Sequence, residues 1–300
     1  MALGIDIGRS GVKVCAAGTC LPVFPGLACP ALPIDDAAEA QNASADTVMV
    51  NGAPWFIGRT AQLHGRVSPR NDASFEMTQA YRALLHGALA RARAIGASAD
   101  RICLGVPAEA GSPVRNHVAK IARAAAGDVR VRVVAQPAGA LAAVAAVDET
   151  VLARCVAVVD VGRYSTDLAI SDAGRPVSGS FISLPGVRLA VDRLAAALRG
   201  ELLGSSSFEL LESALRTGFL PHSFRRLDVG QQAREACQAL HDAVDEAIAR
   251  LLTLRPDIDV LILAGGGIDL LDLSKLPPHV VAPDARHAVA RGLEHIALGL

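Results

Sequence analysis

The sequence predicts an α/β protein in which two lobes repeat one plan. Three observations predict it. Apolar, strand-like runs alternate with helical spacing along most of the 300 residues, the order that α/β layering requires. The segment GIDIGRSGVKV near the start returns as VVDVGRYSTDLAI about 154 residues later. Both read as strand, glycine turn, strand, with an aspartate just before the glycine. A third glycine-rich break, LILAGGGIDL at residues 261–270, follows another apolar strand.

Taken in order, residues 3–14 form two apolar arms around a Gly-rich bend, a β-hairpin. Residues 21–33 are Pro-rich and apolar, so irregular extended structure is expected. The run TVMVNGAPWFIG, residues 47–58, reads as a second hairpin with Asn51-Gly52 as its turn. Residues 62–72 are polar and Pro/Gly-punctuated, an exposed loop. Three- and four-residue apolar spacing predicts a helix over 74–95. A buried strand (101–107), a helix (114–126), an alternating strand (129–134) and an Ala-rich helix (137–146) follow. The second copy opens with a strand at 155–161, its turn, and the strand LAIS. Helices are expected at 187–199 and 230–252, a buried strand at 260–263, a helix opened by AGGGIDLL, and a terminal helix over 285–300. Residues 189–230 carry no recognisable motif. The repeat places the boundary near residue 150: a first lobe of residues 1–150 plus the helix 285–300, and a second of 151–284, with a cleft between them.

Composition excludes several classes. The formal net charge is −1 and no Lys/Arg cluster reads as a nucleic-acid stripe. Aromatic residues make up only 3% of the chain, too few for base-stacking platforms. The start, MALGIDIG, lacks the basic and apolar parts of a signal peptide, and no apolar run reaches the ~20 residues of a membrane span. A cytoplasmic protein with no direct nucleic-acid or membrane partner is expected. The six cysteines, Cys15, Cys20, Cys29, Cys103, Cys155 and Cys237, include no CxxC pair, and are expected to be buried reduced thiols.

The chemistry is carried by the glycine turns. An aspartate at the end of a buried strand sits beside open backbone amides, which form an anion-binding concavity; the carboxylate can hold a hydrated magnesium ion. Asp6 alone has the ordinary reading of a hairpin turn. Asp160 in the second copy changes the weighing, because two equivalent turns can grip the phosphates of one nucleotide and a purely structural repeat needs no aspartate in both. Gly265, Gly266 and Gly267 permit close backbone approach, and a helix starting there would add N-terminal donors.

Four stretches in order, DIGRSGVK, VVAQPAGALAA, DVGRYSTD and LAGGGIDL, resemble the first phosphate motif, first connecting helix, second phosphate motif and adenosine motif of the actin–sugar kinase–chaperone ATPase superfamily. They span Asp6 to Gly267. The FPG, FIGRTA and LGVP stretches look like ParM-like and archaeal actin-like members. The resemblance implies the two-lobed actin-like ATPase fold, ATP or GTP with Mg²⁺, slow hydrolysis, polymerisation into head-to-tail filaments, and plasmid or DNA segregation through a DNA-bound adaptor. By position it gives Asp6 and Asp160 the Mg²⁺, through water, and the hydrolytic water. Gly8, Ser10, Gly11, Gly162 and Ser165 would supply amides or hydroxyls to phosphate. Lys13 falls where a phosphate-contacting lysine is common, and Gln136 where a glutamine positions the attacking water. Gln cannot act as a general base, so slow turnover is expected. Arg9 and Arg163, directly after the turn glycines, depart from the small or polar residues common there; they either add charge near the phosphates or point outward. A small-molecule kinase, a chaperone- or reactivase-like ATPase and a non-polymerising adaptor are the rival readings.

Overall fold

The computed structural model describes every residue except 66–74, 201–205 and 223. The chain forms two compact units, Met1–Val147 with His287–Leu300, and Asp148–Arg286.

In the first unit, β1 (Ala2–Ile7) is buried along its whole length, as its apolar sequence demands of a central strand. A tight turn returns the chain as β2 (Gly11–Ala16), antiparallel to β1 with Lys13 opposite Asp6. Short strands β3 (Thr19–Cys20) and β4 (Phe24–Pro25) both pair with β2. Strands β5 (Ala28–Pro30), β6 (Thr47–Val50) and β7 (Ala53–Ile57) make a separate small sheet with helices α1 (Ala37–Ser44) and α2 (Gly58–His64) between and after them. Helix α3 (Gln79–Ala94), β8 (Arg101–Val106), α4 (Ser112–Ala126), β9 (Arg130–Ala135) and α5 (Gln136–Ala145) complete the pattern. The main sheet runs β3-β2-β1-β8-β9, and β1, β8 and β9 are parallel. Its core joins Ile5, Val14, Ile102 and Leu104 to Leu84, Leu85 and Ala88 of α3. The expected loop at 62–72 begins instead within α2, and from residue 66 onward lies outside the described residues.

The expectation of six reduced thiols is corrected here. Cys15 and Cys20 form a disulfide. They face each other in the β2–β3 register, across a turn at Ala17-Gly18 in which both residues have positive φ. Directly opposed antiparallel residues bring their side chains together, and the spacing C-x₄-C across a two-residue turn carries that information. Cys29, Cys103 and Cys155 are buried free thiols, and burial pushes Cys103 up to about 12.

The second unit repeats the first. Strands β10 (Cys155–Val161) and β11 (Ser165–Asp172) form the hairpin, with Asp167 opposite Asp160. After β12 (Arg175–Pro176) and β13 (Ile182–Pro185) come α6 (Val187–Ala197), α7 (Phe208–Thr217), a separate hairpin of β14 (Phe219–His222) and β15 (Arg225–Asp228), and α8 (Gly230–Leu254). Strands β16 (Val260–Ala264) and β17 (His279–Val281) give the order β12-β11-β10-β16-β17, strand for strand that of the first sheet. Helix α9 (Ala288–Leu298) returns to the first unit and packs on α5 and β1.

One expected element is absent. After the three glycines the chain makes only a 3₁₀ turn, Ile268–Leu270, and Leu271 is already extended. The helix expected to begin at AGGGIDLL does not form, so helix N-terminal donors are not available there.

Candidate functional site

Asp6 is 2% exposed, near the end of β1. Burying a carboxylate is costly unless it is paired and hydrogen-bonded. Two residues satisfy it. Lys13 Nζ, directly opposite on β2, is 2.8 Å from Oδ2. Gln136, the first residue of α5, donates from Nε2 to Oδ1 at 2.8 Å. The reach of Gln136 depends on Gly105, which lies beside Asp6 on β8. A Cβ there would stand 3.0 Å from Gln136 Cγ.

The turn itself is closed by Gly8 N donating to Gly11 O at 3.1 Å. Behind it packs Gly26, where a Cβ would fall 2.3 Å from Gly8 O. Gly26 follows Pro25, whose register partner is Gly11. The second unit has the same construction. Gly162 N donates to Ser165 O at 2.9 Å. Pro185 is the register partner of Ser165, and a Cβ on Gly186 would fall 2.2 Å from Gly162 O. A Pro-Gly pair therefore backs each aspartate-bearing turn.

In the second unit this backing explains the turn's polarity. The amides of Val187, Arg188 and Gly186 donate to the carbonyls of Gly162 (3.0 Å), Arg163 (2.8 Å) and Tyr164 (3.1 Å). In a trans peptide the N–H points opposite its C=O. The amides of Arg163, Tyr164 and Ser165 therefore point away from the start of α6, as successive donors of an anion-binding concavity.

Asp160 is part-buried on β10 beside Ala264 of β16. The glycine run packs directly on it. Gly265 has φ +92°, and a Cβ there would stand 2.5 Å from Asp160 Oδ1 and 2.3 Å from Val161 O. Gly267 N donates to Val161 O at 2.9 Å, and Gly266 O accepts from Arg216 at 3.0 Å.

The two arginines after the turn glycines behave alike. Arg9 lies over the ring of Phe75 at 5.7 Å. Beside it Glu76 is buried; burial pushes its carboxyl up, against the downward pull of its own backbone amide and of Arg9. Arg163 lies over the ring of Phe208 at 5.0 Å, with Glu212 at 2.5 Å and Glu209 at 3.6 Å. Each guanidinium lies over the ring of a Phe that is followed in sequence by Glu, and Arg163 forms an ion pair with that Glu.

Sequence reasoning assigned no role to Glu212, Arg216, Asp269 or Asp167 in this neighbourhood. Glu212 joins Arg163 to Arg216 (3.7 Å), and Arg216 pairs with Asp269, so an ion-pair chain connects the second turn to the glycine run. The apolar spacing of Phe208, Leu211, Ala214 and Leu215 is the signal that locates α7. Asp167 occupies in the second copy the place of Lys13 in the first. It accepts from Ser165 Oγ (2.9 Å) and Ser183 Oγ (2.7 Å), and burial pushes its carboxyl up. It is already visible as the last residue of DVGRYSTD.

Among the described residues no group of three or more His, Cys, Asp or Glu side chains could enclose a metal ion. Both Asp6 oxygens already accept a hydrogen bond, and each keeps a second lone pair. That donor set suits contact through a metal-bound water. Also among the described residues, no helix is long and apolar enough to cross a membrane.

Residues 4–139 match the family "Actin like proteins N terminal domain". An archaeal actin homologue superposes with a TM-score of 0.76 at 19% identity, covering 100% of each chain. A subunit of a 15-stranded ParM filament from Clostridium botulinum superposes with 0.72 at 16%, covering 99% of each. Bacillus thuringiensis ParM with ATP superposes with 0.68 at 12%, covering 99% of this chain and 98% of the other. No curated protein matches in sequence. The chain has the actin-like fold.

Proposed function

We propose that this actin-like protein binds a nucleoside triphosphate, ATP or GTP, with Mg²⁺, hydrolyses it slowly, and self-associates head to tail into filaments that segregate DNA or organise a cytoskeleton through an adaptor. The carrying observation is the duplicated aspartate turn, each copy backed by Pro-Gly, with the second presenting a run of amides away from its carbonyl partners. Such amides suit phosphate oxygens.

Each residue then has a defined task. The amides around Gly8, Ser10 and Gly11, and around Gly162 and Ser165, bind phosphate. Lys13 fixes the Asp6 carboxylate and adds positive charge beside the first turn. Asp6 and Asp160 would be the carboxylates to hold Mg²⁺ through water, and the ion would supply charge neutralisation at the phosphates. Gln136 donates one amide hydrogen to Asp6, which fixes the amide so that its carbonyl oxygen can accept from a water. It can orient that water but cannot deprotonate it. The glycine run at Gly265–Gly267 offers backbone to the nucleoside. A slow hydrolase suits a timer whose states differ in partner affinity, and an unclosed head-to-tail contact gives an open filament. The same fold in a ParM filament and in ParM with ATP supports both halves of the reading.

The test is sedimentation and electron microscopy with ATP, GTP and ADP, beside phosphate release. Filaments in the triphosphate state with slow release are expected. A monomer in every nucleotide state at tens of micromolar overturns the filament reading, and stoichiometric phosphorylation of a small molecule overturns the hydrolase reading.

A further inference from the structure

We propose that Arg163 is a phosphate-positioning residue held in reserve by α7: Glu212 and Glu209 clasp its guanidinium over Phe208, and the terminal phosphates of a bound nucleoside triphosphate take it from them. This rests on the nucleotide reading above and names a device within it.

Arg163 belongs to the turn whose amides face away from α6, yet its side chain is directed to α7. Its guanidinium is 2.5 Å from Glu212, 3.6 Å from Glu209 and 5.0 Å from the Phe208 ring centre. Glu212 is 17% and Arg163 27% exposed at the side chain, so water partly screens the pair. Exposed and part-exposed ion pairs are weak enough to exchange. The terminal phosphates present several charged oxygens on one group, and the planar guanidinium fork matches phosphate geometry. Because the side chain starts within the turn, rotation about its own torsions suffices for the transfer.

The arrangement is duplicated. Arg9 follows the glycine of the first turn and lies over Phe75, with Glu76 beside it. The dipeptide is Phe-Glu in both places, Phe75-Glu76 and Phe208-Glu209. A solvated arginine has no need of an aromatic shelf and a carboxylate in both copies. Duplication with the turns ties the clasp to what the turns do.

Release has a consequence for α7. Glu212 also faces Arg216 at 3.7 Å, and Arg216 holds Asp269 and Gly266 O. When Arg163 leaves, Glu212 turns wholly to Arg216. Occupancy of the phosphate turn is thereby transmitted to α7 and to the glycine run within one unit.

The experiment titrates the magnesium complex of the non-hydrolysable analogue AMPPNP into the full chain and its variants Glu212→Gln, Arg163→Gln and the double variant. Glu212→Gln should bind roughly 5-fold tighter and Arg163→Gln roughly 10-fold weaker, with the double variant matching Arg163→Gln, the pattern of two coupled residues. Wild-type affinity in Glu212→Gln, or a gain that persists without Arg163, overturns the clasp while leaving the nucleotide reading intact. Absence of binding by all four proteins overturns both. Hydrogen exchange of the unaltered chain supplies a readout free of folding effects. AMPPNP should speed exchange in the first turns of α7, and protection there overturns the release.

Discussion

Gln136 Nε2 donates to Asp6 Oδ1 at 2.8 Å, across 130 residues of sequence and over a glycine. A hydrogen bond to a buried carboxylate fixes which end of the amide faces it, because only the NH₂ group can donate. Replacing Gln136 by Ala should lower kcat with little change in nucleotide affinity, since a water-orienting group acts in the transition state. Loss of the bond to a charged group should also cost about 1.5–3 kcal/mol of stability. Phosphate release and urea unfolding check the two effects. A large loss of affinity at unchanged kcat would make Gln136 a binding residue. Gly105→Ala should reproduce part of the kinetic effect by crowding Gln136 Cγ.

Among the described residues, Lys13 is the cation paired with Asp6. Lys13→Met leaves a buried carboxylate without its charge partner and should cost roughly 3 kcal/mol. The second change Asp6→Asn should restore much of it. Denaturant unfolding of the single and double variants measures the recovery, and equal destabilisation by both would contradict the pairing.

Gly186→Ala puts a Cβ 2.2 Å from Gly162 O, so the turn or the start of α6 must shift. Nucleotide affinity should fall at least ~10-fold, about 1.4 kcal/mol, while the far-ultraviolet spectrum stays native. Gly26→Ala, 2.3 Å from Gly8 O, should act alike. Unchanged affinity in both folded variants would remove the turns from the site.

How much of this was legible in sequence follows from what each residue does. The hairpins of Asp6 and Asp160 are visible because buried strands must be apolar and tight turns must contain glycine, so both constraints are written in residue type. The Pro-Gly pairs behind the turns are written there too, as FPG and LPG, but their meaning depends on a register that no local pattern reveals. Helix α1 buries only Ala43 and so leaves no apolar stripe to read. Helix α7 has a stripe, but one of only ten residues. The glycine run promises a helix by local rules; Leu271 turns extended instead, and Leu270 and Leu271 both enter the core. The Cys15–Cys20 bond depends on the cross-strand register that the Ala17-Gly18 turn sets.

Asp167 gives a pH signature. Burial raises its carboxyl pKa in the folded state above the ordinary value of 3.8. The folded protein then binds the proton more tightly than the unfolded chain, so stability falls as pH rises through the window above ~4. Asp167→Asn should remove that decline and leave the variant at least as stable at neutral pH. Urea unfolding across the window measures it; a variant whose stability keeps the same slope would exclude Asp167 as the source.

Asp160→Ala should fold and lose hydrolysis by roughly 10² or more, if its carboxylate organises the metal-bound water. Phosphate release at saturating nucleotide is the readout. Normal turnover in a folded variant would contradict the assignment.

Calorimetric titration of the unaltered chain with ATP and with GTP, each in Mg²⁺ and in EDTA, tests the central claim most directly. The duplicated turns predict saturable binding of at least one triphosphate in Mg²⁺ that weakens markedly in EDTA. No binding of either nucleotide, or equal binding with and without the metal, would contradict it.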